Sequence, residues 1–228
     1  VTYNNRLDIA GEISDIQSEY VYEDKNTGRK ENFYRISLRA PRLSENYDEV
    51  PIIVPEKLLI HNNLGIGAKI RANGSIRTKN INENGRHVSV FAFANDVIKL
   101  SEEEYDALGS HNIVSLDGTI CNDTKMRQTH SGRKVSDLII AFNRELVGTK
   151  EKKNSKLRVK SYYVPCIAWG ALAKAAEKLK KGDQISLSGR FQSRAYRKKD
   201  DLLNDYVAYE VSIQDYSVLK EGGTAQQR

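Results

Sequence analysis

Apolar and polar positions alternate in short blocks along the second half of the chain, and the blocks predict five strands and one helix. Ile113–Cys121 reads as a first strand, with Val114, Leu116 and Ile120 on one side. Asp123–Lys134 is rich in turn residues and reads as a connection. Val135–Asn143 is apolar through its middle, as a strand covered on both faces would be. Glu145–Asn154 is a polar, basic loop, and Arg158–Ala168 is a third strand. In Ala171–Lys180 the apolar residues Leu172, Ala175, Ala176 and Leu179 shift to helical spacing. Lysines close that segment and Gly182 follows, as helix stops prefer. Gln184–Ala195 and Tyr206–Val218 complete the set as fourth and fifth strands.

The first half runs parallel to the second. Leu7–Ser14 aligns with Val114–Cys121, Val50–Ile53 with Val164–Ile167, and Gly67–Gly74 with Gly182–Gly189. The matches keep their order, which points to an internal duplication. Five strands with a helix between the third and fourth is the order of the OB-fold, a small closed barrel. The helical segment of the first copy is Pro55–His61, and Gly11, Gly74, Gly118 and Gly189 stand inside strands where a small barrel bends sharply. The predicted fold class is therefore all-β, with one short helix per domain, as two tandem five-stranded OB-fold barrels. The expected organisation is a divergent barrel over 1–100, an acidic linker of one helical turn over 101–110, a second barrel over 111–219 and a flexible tail over 220–228.

Charge separates the two copies. Residues 1–109 hold 14 Lys and Arg against 17 Asp and Glu, whereas residues 110–228 hold 22 against 13. A basic half invites a polyanion. The cysteines Cys121 and Cys166 fall in predicted strands and read as buried free thiols, with no metal-like spacing. No apolar run approaches the ~20 residues of a membrane helix, and no secretory signal is visible. A cytoplasmic protein is expected, with no membrane, metal or cofactor. Val1 is not an initiator methionine, which fits a processed or trimmed chain.

The chemistry that remains is that of holding a strand. Single-stranded nucleic acid is gripped by cations that follow phosphates and flat rings that stack on bases. On the third strand Tyr163, Pro165, Ile167 and Trp169 share one parity, and Val164, Cys166 and Ala168 the other. Tyr163 and Trp169 would lie about 20 Å apart at ~3.3 Å per residue, far enough to meet separate bases. On the fourth strand Ile185, Leu187 and Phe191 are expected inside, and Arg190, Gln192, Arg194 and Tyr196 on the other side. Further cations come from Lys134, Arg144, Arg158 and Lys160, and from the loop opened by Arg197 and Lys198. In the first copy Arg71, Arg77 and Lys79 line one parity of the fourth strand.

These residues reach a family. Asn112–Gly118 with Thr129–Val135, Ala141–Arg144, Pro165–Ala173 and Lys181–Tyr196 together resemble the bacterial single-stranded DNA-binding proteins. By position in these motifs, the family's base-stacking aromatics fall at Tyr163, Trp169 and Tyr196. The resemblance implies sequence-tolerant binding and protection of single-stranded DNA in replication, recombination or repair. It also implies a homodimer that assembles four barrels, and replication or repair proteins as partners. Stacking and phosphate contact serve RNA equally well. A further stacking position in the loop before the third strand has no aromatic within Lys150–Lys160. The family's acidic tail tip is not found in Lys220–Arg228. Opposite Tyr163, Trp169 and Tyr196 the first copy places Glu49, Pro55 and about Ile81, so it is expected to act mainly as the barrel's partner, with Tyr47 as a stacking candidate.

Two other readings compete with this one. One is a primosome or mobile-element adaptor whose barrels hold protein as well as DNA. The other is an enzyme, a nuclease or a nucleotidyl-transfer accessory, for which Asp117, Asp123 and Asp137 lack metal-site spacing and His61, His87, His111 and His130 read as scattered surface residues. No phosphate-binding glycine loop of the nucleotide-hydrolase kind occurs. An enzyme is not expected.

Overall fold

A computed structural model describes residues 4–25, 27–81, 87–129, 132–146, 158–198 and 201–222. The first five strands are β1 (Asn5–Glu23), β2 (Lys30–Pro41), β3 (Tyr47–Pro55), β4 (Lys69–Ile81) and β5 (His87–Lys99), with α1 (Glu56–His61) between β3 and β4. Pairing is antiparallel for β1 with β2 and β4, β2 with β3, and β4 with β5, and parallel for β3 with β5. The ring β1-β2-β3-β5-β4 therefore closes on itself, and no free edge runs its length. Inside lie Leu7, Ile9, Ile13, Ile36, Leu38, Val50, Ile52, Ile70, Ile76 and Val90, all buried.

The second set repeats the order: β6 (Asn112–Ile120), β8 (Lys134–Leu146), β9 (Arg158–Trp169), β10 (Gln184–Lys198) and β11 (Asp201–Lys220), with α3 (Gly170–Ala176) between β9 and β10. Neighbours run β6-β10-β11-β9-β8, and a further β6–β8 pairing closes the ring. The interior expected from period-two alternation is found: Val114, Leu116, Ile120, Val164, Cys166, Ala168, Ile185, Leu187 and Phe191 are all buried. Gly118 is required by close approach. A Cβ there would sit 2.7 Å from the Ala141 carbonyl oxygen and 2.4 Å from the Ile140 side chain.

Several boundaries move. Met126–Gln128, expected as part of a turn-rich connection, is a short strand β7 that pairs with β8. The fourth and fifth strands reach Lys198 and begin again at Asp201, so they form a much longer hairpin than the alternation marked. The helix stops at Ala176, two residues before Lys178, the first of the lysines expected to close it. The linker holds α2 (Glu102–Leu108), which begins with a capping box in which Ser101 and Glu104 each satisfy the other's backbone N–H.

Packing divides the chain into two compact units that are not linear halves. One unit holds 1–5, 115–188 and 212–228; the other holds 6–114 together with 189–211. The distal part of the β10–β11 hairpin thus belongs with the first five strands. The reason is a buried carboxylate. Asp48, 1% exposed, is ion-paired with Arg42 and with Arg190 at 2.8 Å. Its Oδ1 also accepts the Ser193 backbone N–H at 3.0 Å. Nearby, the Asn112 side chain both accepts from the backbone N–H of Phe191 and donates to its carbonyl.

Candidate nucleic-acid interface

In the unit built on 115–188, β8 and β9 pair as an antiparallel ribbon. Its register sets Ala141 against Tyr163, Ile139 against Pro165, Asp137 against Ile167 and Val135 against Trp169. Tyr163 is 49% exposed and Ile139 beside it is exposed as well. Pro165 and Trp169 are half-buried. Ile167 differs from expectation: it has the parity of the exposed residues, yet it is 1% exposed. Trp169 is the last residue of β9, and Gly170 follows at φ 56°, a left-handed turn that favours glycine and starts α3. The ring is thereby placed at a strand–helix corner with part of its surface open.

The cations of this unit stand toward the ends of the ribbon, on the parity opposite Tyr163. Lys134 opens β8 and is exposed. Lys160 is exposed and extends its Nζ over the Tyr162 ring at 5.0 Å, on the opposite parity from Tyr163. Arg144 faces Lys160 in register and Arg158 faces Leu146, but their side chains, and the basic loop around Lys150–Lys156, lie outside the described residues.

The other unit receives Arg190, Arg194 and Tyr196. Each arginine meets a carboxylate: Arg190 is paired with Asp48, and Arg194 makes two hydrogen bonds to Glu210 at 2.9 and 3.1 Å. Gln192 shares their parity but is buried and donates to the same Glu210 at 2.9 Å. A phosphate approaching either arginine would compete with an internal partner. Tyr196 is half-buried, tilted against Tyr206 at 5.6 Å, with the Arg194 guanidinium 5.9 Å from its centroid. Arg197 and Lys198 continue β10, with side chains outside the described residues.

Arg71 is likewise paired, through two bonds to Asp8. The Arg71 guanidinium, with smaller help from His111, holds the Asp8 carboxyl below the ordinary carboxylate range against the opposing effect of burial. His111 is 3.0 Å from Asp8 and mostly buried, so it is not the surface residue expected from sequence. Arg77 lies flat on Phe93, with its guanidinium carbon 3.5 Å from the ring centroid. Lys79 is exposed. Glu49, at the position equivalent to Tyr163, accepts from the Ser14 hydroxyl at 2.5 Å. Tyr47 is exposed, with Arg39 5.2 Å above its ring. The side chain of Ile81 lies outside the described residues.

Sequence reasoning passed over one group here. Tyr20, Phe33 and Phe93 form a contiguous set of rings in the unit that was expected to have lost its aromatics. The aromatics Tyr20, Tyr22, Phe33 and Tyr34, close together in the sequence, were the available signal.

Among the described residues, no three His, Cys, Asp or Glu side chains gather as a metal site. Asp117 accepts the Asn4 N–H at 3.3 Å, Asp123 accepts from Lys181, and Asp137 pairs with Arg127, so each carboxylate is engaged separately. Cys121 and Cys166 are free thiols, and only Cys166 is fully buried; partial burial raises the Cys121 thiol above its ordinary range. No described helix is long and apolar enough to cross a membrane.

Two closed rings in the order 1-2-3-5-4, each with a helix after the third strand, define a protein of two OB-folds. The chain is similar over its whole length to the single-stranded DNA binding protein of Thermus aquaticus. The TM-score is 0.65 at 18% identity, covering 100% of this chain and 98% of that one. The profile of the Single-strand binding protein family matches residues 111–219. Single-stranded DNA-binding protein B of Bacillus subtilis is 32% identical over 97 residues, which span 42% of this chain and 80% of that protein. A single-stranded DNA-binding protein of Fusobacterium nucleatum is 26% identical over 116 residues, spanning 50% of this chain and 73% of that protein. The chain belongs to the single-strand binding protein family.

Proposed function

We propose that the protein binds single-stranded DNA with little sequence preference and protects it during replication, recombination or repair. The observation that carries this reading is the β8–β9 ribbon, where exposed Tyr163 and half-buried Trp169 share one parity, with Ile139 and Pro165 between them. Bases stack on such a face whatever their identity, because every base has a π-surface. Exposed Lys134 and Lys160, toward the ends of the ribbon, neutralise phosphate and release counterions. The reading assigns contact roles to Tyr163, Trp169, Lys134 and Lys160 first. Arg190, Arg194 and Arg71 rank behind them because their guanidiniums already face carboxylates.

The same proposal treats 1–100 and 111–219 as duplicated barrels joined by 101–110, and a homodimer as the assembly that supplies four of them. It places the protein with DNA at the bacterial nucleoid, with replication or repair proteins as partners and no reaction of its own. The test uses the chain's single tryptophan. Titration with oligodeoxythymidylate should quench Trp169 emission, and affinity should fall steeply and linearly with log salt. Unchanged emission at saturating oligonucleotide would remove the stacking role. A flat salt response would remove the phosphate role.

A further inference from the structure

Tyr196 stands near the far end of β10, a strand of 15 residues that neighbours β11 as a long hairpin. A two-stranded hairpin is marginal by itself in water and takes its direction from what it rests on. Here it rests on the first barrel. Residues 189–211 pack in one unit with 6–114, and Arg42, Asp48 and Glu49, around the β2–β3 turn, make the contact.

Ser193 is the point of attachment. Its N–H donates to Asp48 Oδ1, its carbonyl accepts from Arg42 Nη2 and its hydroxyl accepts the Glu49 N–H, each at 3.0 Å. In a ladder a neighbouring backbone would take the first two bonds; here an ion pair takes them. Arg190, three residues earlier, donates to the other Asp48 oxygen at 2.8 Å. Both oxygens of a buried carboxylate are thus committed, each in a fixed direction. A buried charge is costly unless it is balanced with good geometry, so these bonds favour one seat for the hairpin. The Tyr209 phenol, raised above its ordinary range first by burial, lies within electrostatic reach of Arg35 and Glu49 and marks the same seat from β11.

From Ser193 the strand runs three residues to Tyr196, about 10 Å at ~3.3 Å per residue. Arg194 lies between them and is bonded to the buried Glu210 of β11, which also holds Gln192. The Tyr196 ring has Tyr206 at 5.6 Å and the Arg194 guanidinium at 5.9 Å. Directional contacts therefore connect Asp48 to the ring.

We infer that Asp48 is a positioning residue for strand binding: it seats the β10–β11 hairpin on the first barrel so that Tyr196 meets a base. The inference rests on the single-stranded DNA reading above. It gives the first barrel a part in binding that needs no ring on its own face.

The test uses the full chain and a thymidine oligomer carrying 5-iododeoxyuridine. Irradiation of the wild-type complex should yield a nucleotide adduct on Tyr196, located by peptide mass spectrometry. Y196A should weaken binding by roughly five- to a hundredfold, the range of one lost base stack. D48N keeps the side chain's shape and removes its charge. It should weaken binding within the same range and suppress the Tyr196 adduct, while saturating oligomer still quenches Trp169. In a Y196A background D48N should add less than about twofold, because positioning acts only through the ring. An equal loss from D48N in both backgrounds overturns the inference. So does unchanged affinity with the wild-type adduct yield, or tighter binding with a steeper salt slope, the mark of Arg190 released to phosphate. Wild-type affinity in Y196A alongside weakened binding in W169A overturns the inference and leaves the function standing. No binding of any oligonucleotide by the wild-type chain overturns both. If D48N melts below the assay temperature, S193A decides: a reduced Tyr196 adduct supports the inference and an unchanged one overturns it.

Discussion

The third strands of the two barrels occupy the same place in the same ring, and they answer the same demand differently. Tyr163, Pro165, Ile167 and Trp169 in β9 correspond to Glu49, Pro51, Ile53 and Pro55 in β3. Inside, the match is close: Val164 and Cys166 correspond to Val50 and Ile52, and all four are buried. A closed barrel constrains its interior by volume, so duplicated copies keep the inner parity. The outer parity answers only to what lands on it. In β3 its Glu49 has turned toward Ser14 and Arg39, while the rings stand on β1, β2 and β5.

The largest effect expected from breaking this comparison falls on the ion pairs of the first barrel. D48A leaves Arg42 and Arg190 without their shared buried carboxylate and should cost about 3–5 kcal/mol of stability in a denaturant titration. Next come the equivalent glycines. G11A and G118A each drive a Cβ against a carbonyl oxygen, Arg39 at 2.6 Å and Ala141 at 2.7 Å. Both should destabilise by about 1–3 kcal/mol. Equal losses would show that the two barrels bend alike; a loss in only one would break the symmetry.

The binding faces separate more sharply. W169A should weaken oligonucleotide binding by about 1–3 kcal/mol, while P55A, at the matching position, should leave affinity unchanged in the same fluorescence-anisotropy titration. The cap of α2 is a smaller matter. S101A removes the acceptor for the Glu104 N–H and should cost about 0.5–2 kcal/mol, read as a lowered Tm.

The smallest effect is one of pH. Asp8 has its carboxyl held low in the folded state, so its contribution is present above the ordinary carboxylate value and is lost as pH falls through the depressed folded value. Acid titration of stability should therefore show a component that D8N removes. The matching residue of the second barrel is Ser115, which accepts from Asn4 and has no charge to titrate.

The interior could be read from the chain because strand alternation has period two and burial follows it without regard to partners. Val114 through Ile120 and Ile185 through Phe191 are examples. The open face of β9 was legible for the same reason, apart from Ile167. Alternation does not reveal a bulge. The one-residue shift between Ser18 and Tyr20 stacks the Tyr20 ring on Phe33, from which simple parity separates it. Nor does it reveal ion pairs between distant segments. Arg190 and Asp48 are 142 residues apart, and only the closed fold shows that the arginine counted for phosphate is already engaged. A three-residue strand such as β7 offers too few positions for any period to register.

The placement of 189–211 within the unit of 6–114 bears on the order in which the protein is made. A ribosome delivers Asp48 long before Arg190, so the first barrel leaves the exit tunnel with its inner carboxylate balanced by Arg42 alone. Its full set of contacts waits for the last quarter of the polypeptide. A nascent chain arrested near the linker, or a gene cut there, would yield a barrel short of one hairpin and one counter-charge.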